Sequence, residues 1–159
     1  MLKRENNLIL IVILFFVSLV LISAFVIEYG LNHQPCKLCL YERIPYILSI
    51  LLIIKILFVK KYEKITLFIL FLIFIASTVL AFYHFGIEQG FFSESFVCKA
   101  GNMGTLSKEQ LLEQLNKNSI SCKDVSFRVL GLSLAIINTI LSIILSVIFL
   151  KLFLNYAKN

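Results

Sequence analysis

Residues 8–27 read LILIVILFFVSLVLISAFVI, an unbroken apolar run whose only polar interruptions are Ser18 and Ser23. At about 1.5 Å per residue, a helix of this length covers the roughly 30 Å hydrocarbon core of a bilayer. A cleaved signal peptide would have a shorter apolar region followed by an A-x-A-like site. No such site follows here, so the run reads as an uncleaved first membrane span.

Working outward, three more apolar segments follow. Ile44 to Val59 is short and carries Lys55 near its end, where the long side chain can snorkel toward headgroups beside Lys60 and Lys61. Starting that helix near Leu40 restores a full crossing and leaves Pro45 near the first turn, where a missing N–H costs least. Ile65 to Phe85 gives a third span and Val129 to Phe153 a fourth. Polar residues of the fourth are Ser133, Asn138, Thr139, Ser142, Ser146 and Lys151. Small, weakly polar side chains in such a helix usually face other helices. The expectation is an all-α membrane protein: a four-transmembrane-helix bundle with spans at about 8–27, 40–59, 65–85 and 129–153. Two outward loops, about 28–39 and 86–128, join them, and residues 1–159 form a single membrane domain.

Composition agrees. The 159 residues are 60% hydrophobic, with a mean hydropathy of +0.96, far above a soluble domain. The formal charge of +6 does not indicate nucleic acid, because the cations flank apolar segments instead of clustering with aromatics on a soluble face. Lys3 and Arg4 precede the first span, Lys60, Lys61 and Lys64 lie between the second and third, and Lys151 and Lys158 end the fourth. All fall on one side, so the positive-inside rule predicts that both termini are cytoplasmic.

Every cysteine then lies on the opposite face: Cys36 and Cys39 in the first outward loop, Cys98 and Cys122 in the second. Four thiols in an oxidising compartment suggest disulfides, of which three pairings are possible. Cys36-Lys37-Leu38-Cys39 has redox spacing, with Lys37 and Arg43 near enough to favour a thiolate. Haem attachment would need His after the second cysteine, where Leu40 stands. A tetrahedral zinc site would normally show two short-spaced pairs, unlike the wide Cys98–Cys122 interval; no metal is expected. Two inert structural disulfides remain a rival. Between Cys98 and Cys122, Leu106, Leu111, Leu112 and Leu115 alternate with charged and amide residues, and Ser107 with Gln110 makes a capping box. A short amphipathic helix is expected there, lying on the membrane surface or packed on the ends of the spans.

The stretch from Gln34 to Arg43, QPCKLCLYER, resembles the hallmark of the disulfide bond formation protein B family: Pro-Cys-x-x-Cys, an apolar residue, an aromatic, a polar residue and Arg at the entry to the second span. Tyr83-His84 before Cys98, Phe127 after Cys122, and Leu130-Gly131-Leu132-Ser133 before the fourth span extend the resemblance over about the whole chain. The second outward loop departs from it in having no tryptophan and no proline before Cys98.

The resemblance implies a quinone-dependent enzyme of the bacterial inner membrane with its cysteine loops in the periplasm. Such proteins reoxidise a soluble DsbA-like thiol oxidase of the thioredoxin fold and pass its electrons to a membrane quinone, ubiquinone or menaquinone, sustaining disulfide formation. Carried over by position, Cys98 receives the partner's thiolate and Cys122 is its mate. Cys36 and Cys39 accept the electrons, Cys39 acts on the quinone, and Arg43 and His84 match the quinone-site residues. A vitamin K epoxide reductase-type enzyme also uses four helices, but its active Cys-x-x-Cys lies late in the chain; here the pair precedes the second span. A scaffold with inert disulfides is the rival from outside enzymology.

Overall fold

The computed structural model describes residues 2–59, 61–93, 98, 122–123, 128–129 and 131–157. Four long helices make up nearly all of it. The first, α1, covers Leu2–Phe25 and runs on into a π-helical turn at Val26–Gly30. Then come α2 at Lys37–Phe58, α3 at Glu63–Glu88 and α4 at Leu134–Ala157. A hairpin of two short strands, β1 (Arg128–Val129) and β2 (Leu132–Ser133), leads into α4. The amphipathic helix expected between Cys98 and Cys122 lies outside the described residues.

Among the described residues, three helical segments are long and apolar enough to cross a membrane: Asn7–Gly30, Glu63–Glu88 and Leu134–Tyr156. α2 is long enough but less apolar. Any 18-residue stretch of it holds Glu42, Arg43 and either Lys37 or Lys55. Two of the charges that lower its hydropathy, Glu42 and Arg43, belong to the site described below.

Two helix starts differ from the sequence reading. α2 begins at Lys37, not near Leu40, because Cys36 caps it: its sulfur accepts a hydrogen bond from the Cys39 N–H at 3.1 Å. Pro45 therefore sits in the helix interior, where its ring offers no N–H to the Tyr41 carbonyl. α4 begins at Leu134, not Val129. Gly131, at φ 83°, turns the chain in the left-handed region, which β-branched and bulky residues avoid, and the apolar residues on either side pair as strands. Ser133 then receives the Ile136 N–H at 3.4 Å.

The helices pack with α3 most extensively on α4, and with α2 against both α1 and α3. Phe74 and Phe149 stack at 5.5 Å between centroids, and Tyr46 meets the Phe74 ring edge-on at 5.8 Å. Leu10 and Val17 of α1, Ile53 of α2 and Leu70 of α3 close the same core. Ser77 and Ser142, both fully buried, share a hydrogen bond of 3.0 Å across α3 and α4. Ser146 of α4 and Ser133 just before it are buried too, while Lys151 is exposed, so Ser142 and Ser146 of α4 face protein as expected of such a helix. The outward faces are apolar: Phe15, Val79, Phe82 and Ile144 are all exposed, which suits lipid and would be costly in water. Lys64 lies over the Phe153 ring at 5.8 Å. The α2–α3 turn and the end of α4 thus share one end of the molecule, and Cys36 and His84 lie at the other ends of α2 and α3.

Without a hydrophobic drive between helices in lipid, packing of this kind carries the association. We predict that Phe74→Ala, which empties a site between two aromatic rings, lowers stability by about 3–5 kcal/mol in detergent unfolding. Phe82→Ala, on the exposed face, should leave the unfolding midpoint nearly unchanged. Equal effects from the two would contradict this assignment of faces.

Candidate functional site

Capping by Cys36 puts both sulfurs of the first pair at the N-terminus of α2. Cys36 and Cys39 are joined by a disulfide, with Cα atoms 5.2 Å apart. A helix N-terminus carries partial positive charge and unpaired N–H groups, which stabilise a thiolate when the bond is opened. Cys36 is buried and Cys39 partly so.

One turn further along α2, Glu42 is buried. A carboxylate in that setting must be fully hydrogen-bonded, and Glu42 uses both oxygens. His84 Nδ1 lies 2.8 Å from its Oε1, and the Asn138 amide of α4 donates to its Oε2 at 2.8 Å. Asn138 in turn accepts from the Tyr46 hydroxyl. His84, nearly fully buried at the end of α3, turns its other nitrogen toward the disulfide: Nε2 is 3.5 Å from Cys36 Sγ. The result is one chain of polar contacts, Tyr46–Asn138–Glu42–His84–Cys36, through three helices. With Nδ1 turned to Glu42, Nε2 faces the Cys36 sulfur, placed to exchange a proton with a Cys36 thiol.

Arg43 follows a separate course. Its guanidinium pairs with Glu28 of the π-helical turn, reaches the Ala24 carbonyl at 3.4 Å and lies over the Phe25 ring at 4.9 Å. It is therefore fixed by the end of α1 at the rim of a cavity of about 340 Å³. Cys36, Cys39, Glu42, His84 and Glu88 line the same cavity, as does His33, to which the sequence reading gave no role. The other lining is apolar: Leu21 and Ala24 from α1, Ile27 from its π-helical turn, and Leu134, Ile137 and Leu141 from α4.

The second pair, Cys98–Cys122, is also a disulfide, with Cα atoms 5.4 Å apart. The sequence reading set this pair in the second outward loop. Both residues are buried, in one cluster with Cys36, Leu38 and Ile87, with Cys39, Leu80 and Tyr83 packed against it. Sulfur is soft and apolar, so four cystine sulfurs beside leucine and isoleucine form a small core of their own.

Of the six residues singled out from sequence, Cys36, Cys39, Arg43 and His84 meet at the cavity, and Cys98 and Cys122 pack behind Cys36. Sequence reasoning missed Glu42, Asn138, Glu28 and Glu88. The signal was present, since an ionisable or amide side chain within or beside an apolar span is expensive and rarely idle.

Comparison with known proteins agrees with the geometry. The family model described as disulfide bond formation protein DsbB matches residues 6–152. An uncharacterized protein of Rickettsia prowazekii (strain Madrid E) is 30% identical over 99% of this chain and 93% of its own length. With a Cys-x-x-Cys disulfide capping a helix, a second disulfide packed behind it and apolar helices of spanning length, this chain belongs to the DsbB family of disulfide bond formation proteins.

Proposed function

We propose that this membrane oxidoreductase is a quinone-dependent protein-dithiol oxidase. It takes two electrons from a periplasmic, DsbA-like oxidase of the thioredoxin fold and delivers them to a membrane quinone. The observation that carries this reading is the position of the Cys36–Cys39 disulfide in the wall of an apolar cavity that also holds Arg43 and His84.

The cavity suits such an acceptor. About 340 Å³ lies at the lower end of the roughly 300–1,000 Å³ typical of small-molecule sites, and an apolar wall with a few convergent polar groups is what a quinone ring requires. When bound, a quinone supplies a two-electron, two-proton sink of higher potential than a thiol pool. Arg43 would orient its oxygen and favour negative charge there. Cys39 would face the ring, and His84 would stand at the boundary between ring and disulfide.

The sulfur chemistry follows from ordinary exchange. A thiolate of the reduced partner attacks Cys98, breaking the Cys98–Cys122 bond and forming a mixed disulfide. The partner's second thiol resolves it, leaving the partner oxidised and Cys98 and Cys122 as a dithiol. That dithiol reduces Cys36–Cys39, which its packing against the second pair favours. His84, held by Glu42, returns a proton to Cys36 as its sulfur leaves and removes it again when the pair is reoxidised.

For this cycle the four helices cross the bacterial inner membrane as a four-span bundle. The lysine-bearing end faces the cytoplasm with both termini, and the cysteine end faces the periplasm. α2 crosses despite Glu42, Arg43 and Lys55, because the first two are paired and Lys55 reaches toward headgroups. Ubiquinone and menaquinone both fit this scheme.

Purified protein given a reduced thioredoxin-fold donor should reduce added quinone, and absence of electron transfer would return the protein to the scaffold class. Cys39→Ser should abolish that reduction; full turnover would remove Cys39 from the path. A Cys122→Ser variant should accumulate a mixed disulfide with the partner through Cys98, whereas an adduct mapped to Cys36 reverses the order of the two pairs. His84→Asn should slow opening of the Cys36–Cys39 disulfide by about 10²-fold near neutral pH. The deficit should shrink as pH rises and the thiolate forms unaided; a pH-independent deficit would indicate a packing role instead.

A further inference from the structure

We infer that, once the Cys36–Cys39 disulfide is reduced, Cys36, Cys39, His84 and Glu88 form a binding site for a thiophilic divalent cation such as Zn(II). The site needs no quinone and stands whether or not the cavity receives one.

Three ligand atoms are already gathered. The two sulfurs and a ring nitrogen of His84 lie within 4.8 Å of one another. Tetrahedral zinc, with Zn–S about 2.3 Å and Zn–N about 2.0–2.1 Å, needs ligand atoms roughly 3.3–3.8 Å apart. Opening the disulfide lets the sulfurs move to that spacing with small side-chain rotations. His84 is also prepared as a ligand. Its Nδ1 is bonded to Glu42 at 2.8 Å, leaving Nε2 facing the sulfurs. A carboxylate behind a ligating imidazole fixes its tautomer and raises its basicity, the usual arrangement around bound zinc.

Glu88 supplies the independent observation. Its side chain is 6% exposed, and its Oε1 lies 3.8 Å from His84 Nε2. Its Oε2 is buried and has no hydrogen-bond partner. A buried carboxylate oxygen without a donor costs free energy unless something cationic visits it. Glu88 lines the cavity beside Cys36 and His84, where it can take the fourth position. Two thiolates and this carboxylate bring three negative charges against the two positive charges of the metal. The balance is simple: M²⁺ displaces two thiol protons, giving M(Cys36)(Cys39)(His84)(Glu88) and two H⁺. Reduction comes from a phosphine, which becomes its oxide with water supplying the oxygen and both protons. A pair held this way is a stable dithiolate, so Zn(II) removes it from electron transfer.

The test uses full-length protein in detergent, reduced by a phosphine and titrated with Co(II) in a Cys98→Ser/Cys122→Ser background. We expect one equivalent bound, with thiolate-to-cobalt charge transfer and tetrahedral ligand-field bands, and no such bands from the same protein oxidised. His84→Asn and Glu88→Gln should each weaken binding at least about tenfold, and Glu42→Gln by about 10–100-fold. Absence of the bands in the reduced protein, or affinity unchanged in both His84→Asn and Glu88→Gln, overturns the site. A second measurement needs no substitution. In reduced wild-type protein, Zn(II) should slow alkylation of Cys36 and Cys39 at least about tenfold relative to Cys98 and Cys122, read by mass spectrometry. Equal protection of all four, or protection of Cys98 and Cys122 alone, overturns it as well.

Discussion

A carboxylate buried between apolar helices has to be satisfied completely, and the way Glu42 is satisfied organises this molecule. One oxygen binds His84 of α3 and the other binds Asn138 of α4, so a single side chain on α2 sets the register of three helices. In a low-dielectric interior these bonds are strong when complete and costly when broken. The same bonds decide which nitrogen of His84 faces the sulfurs. Helix packing and redox chemistry therefore depend on one interaction.

Around that constraint, the remaining polar groups sort by depth and partner. Arg43 pairs with Glu28 and Phe25 at the end of α1, holding a cation at the rim of the cavity. Ser77 and Ser142 join α3 to α4 further along. Beyond them, further from the cavity, lies the aromatic stack of Phe74 and Phe149. Two charges that make α2 less apolar than the other helices, Glu42 and Arg43, have a place in this scheme, and Lys55 near its other end can reach toward headgroups.

Much of this was legible from the sequence. Runs of some twenty apolar residues admit few structures besides spanning helices, and the Cys36–Cys39 spacing with Arg43 pointed to redox work at a helix entry. Helix boundaries were less legible, because hydropathy does not register a cap or a turn: Cys36 starts α2 early, and Gly131 delays α4. Long-range pairing was not legible at all. Nothing local to Glu42, His84 or Asn138 says that they meet across 42 and 96 positions of chain. Nor does a place in the second outward loop say that Cys98 and Cys122 are buried beside Cys36, since that depends on tertiary packing.

The central claim is that Cys36 and Cys39 are the pair that delivers electrons to the acceptor. The direct measurement is a single turnover in the absence of partner protein. Cys98→Ser/Cys122→Ser protein is reduced chemically, freed of reductant and mixed with excess quinone. The account predicts one quinol formed per protein, with Cys36 and Cys39 recovered as a disulfide. Quinone left unreduced by this variant, while fully reduced wild-type protein converts it, would contradict the account.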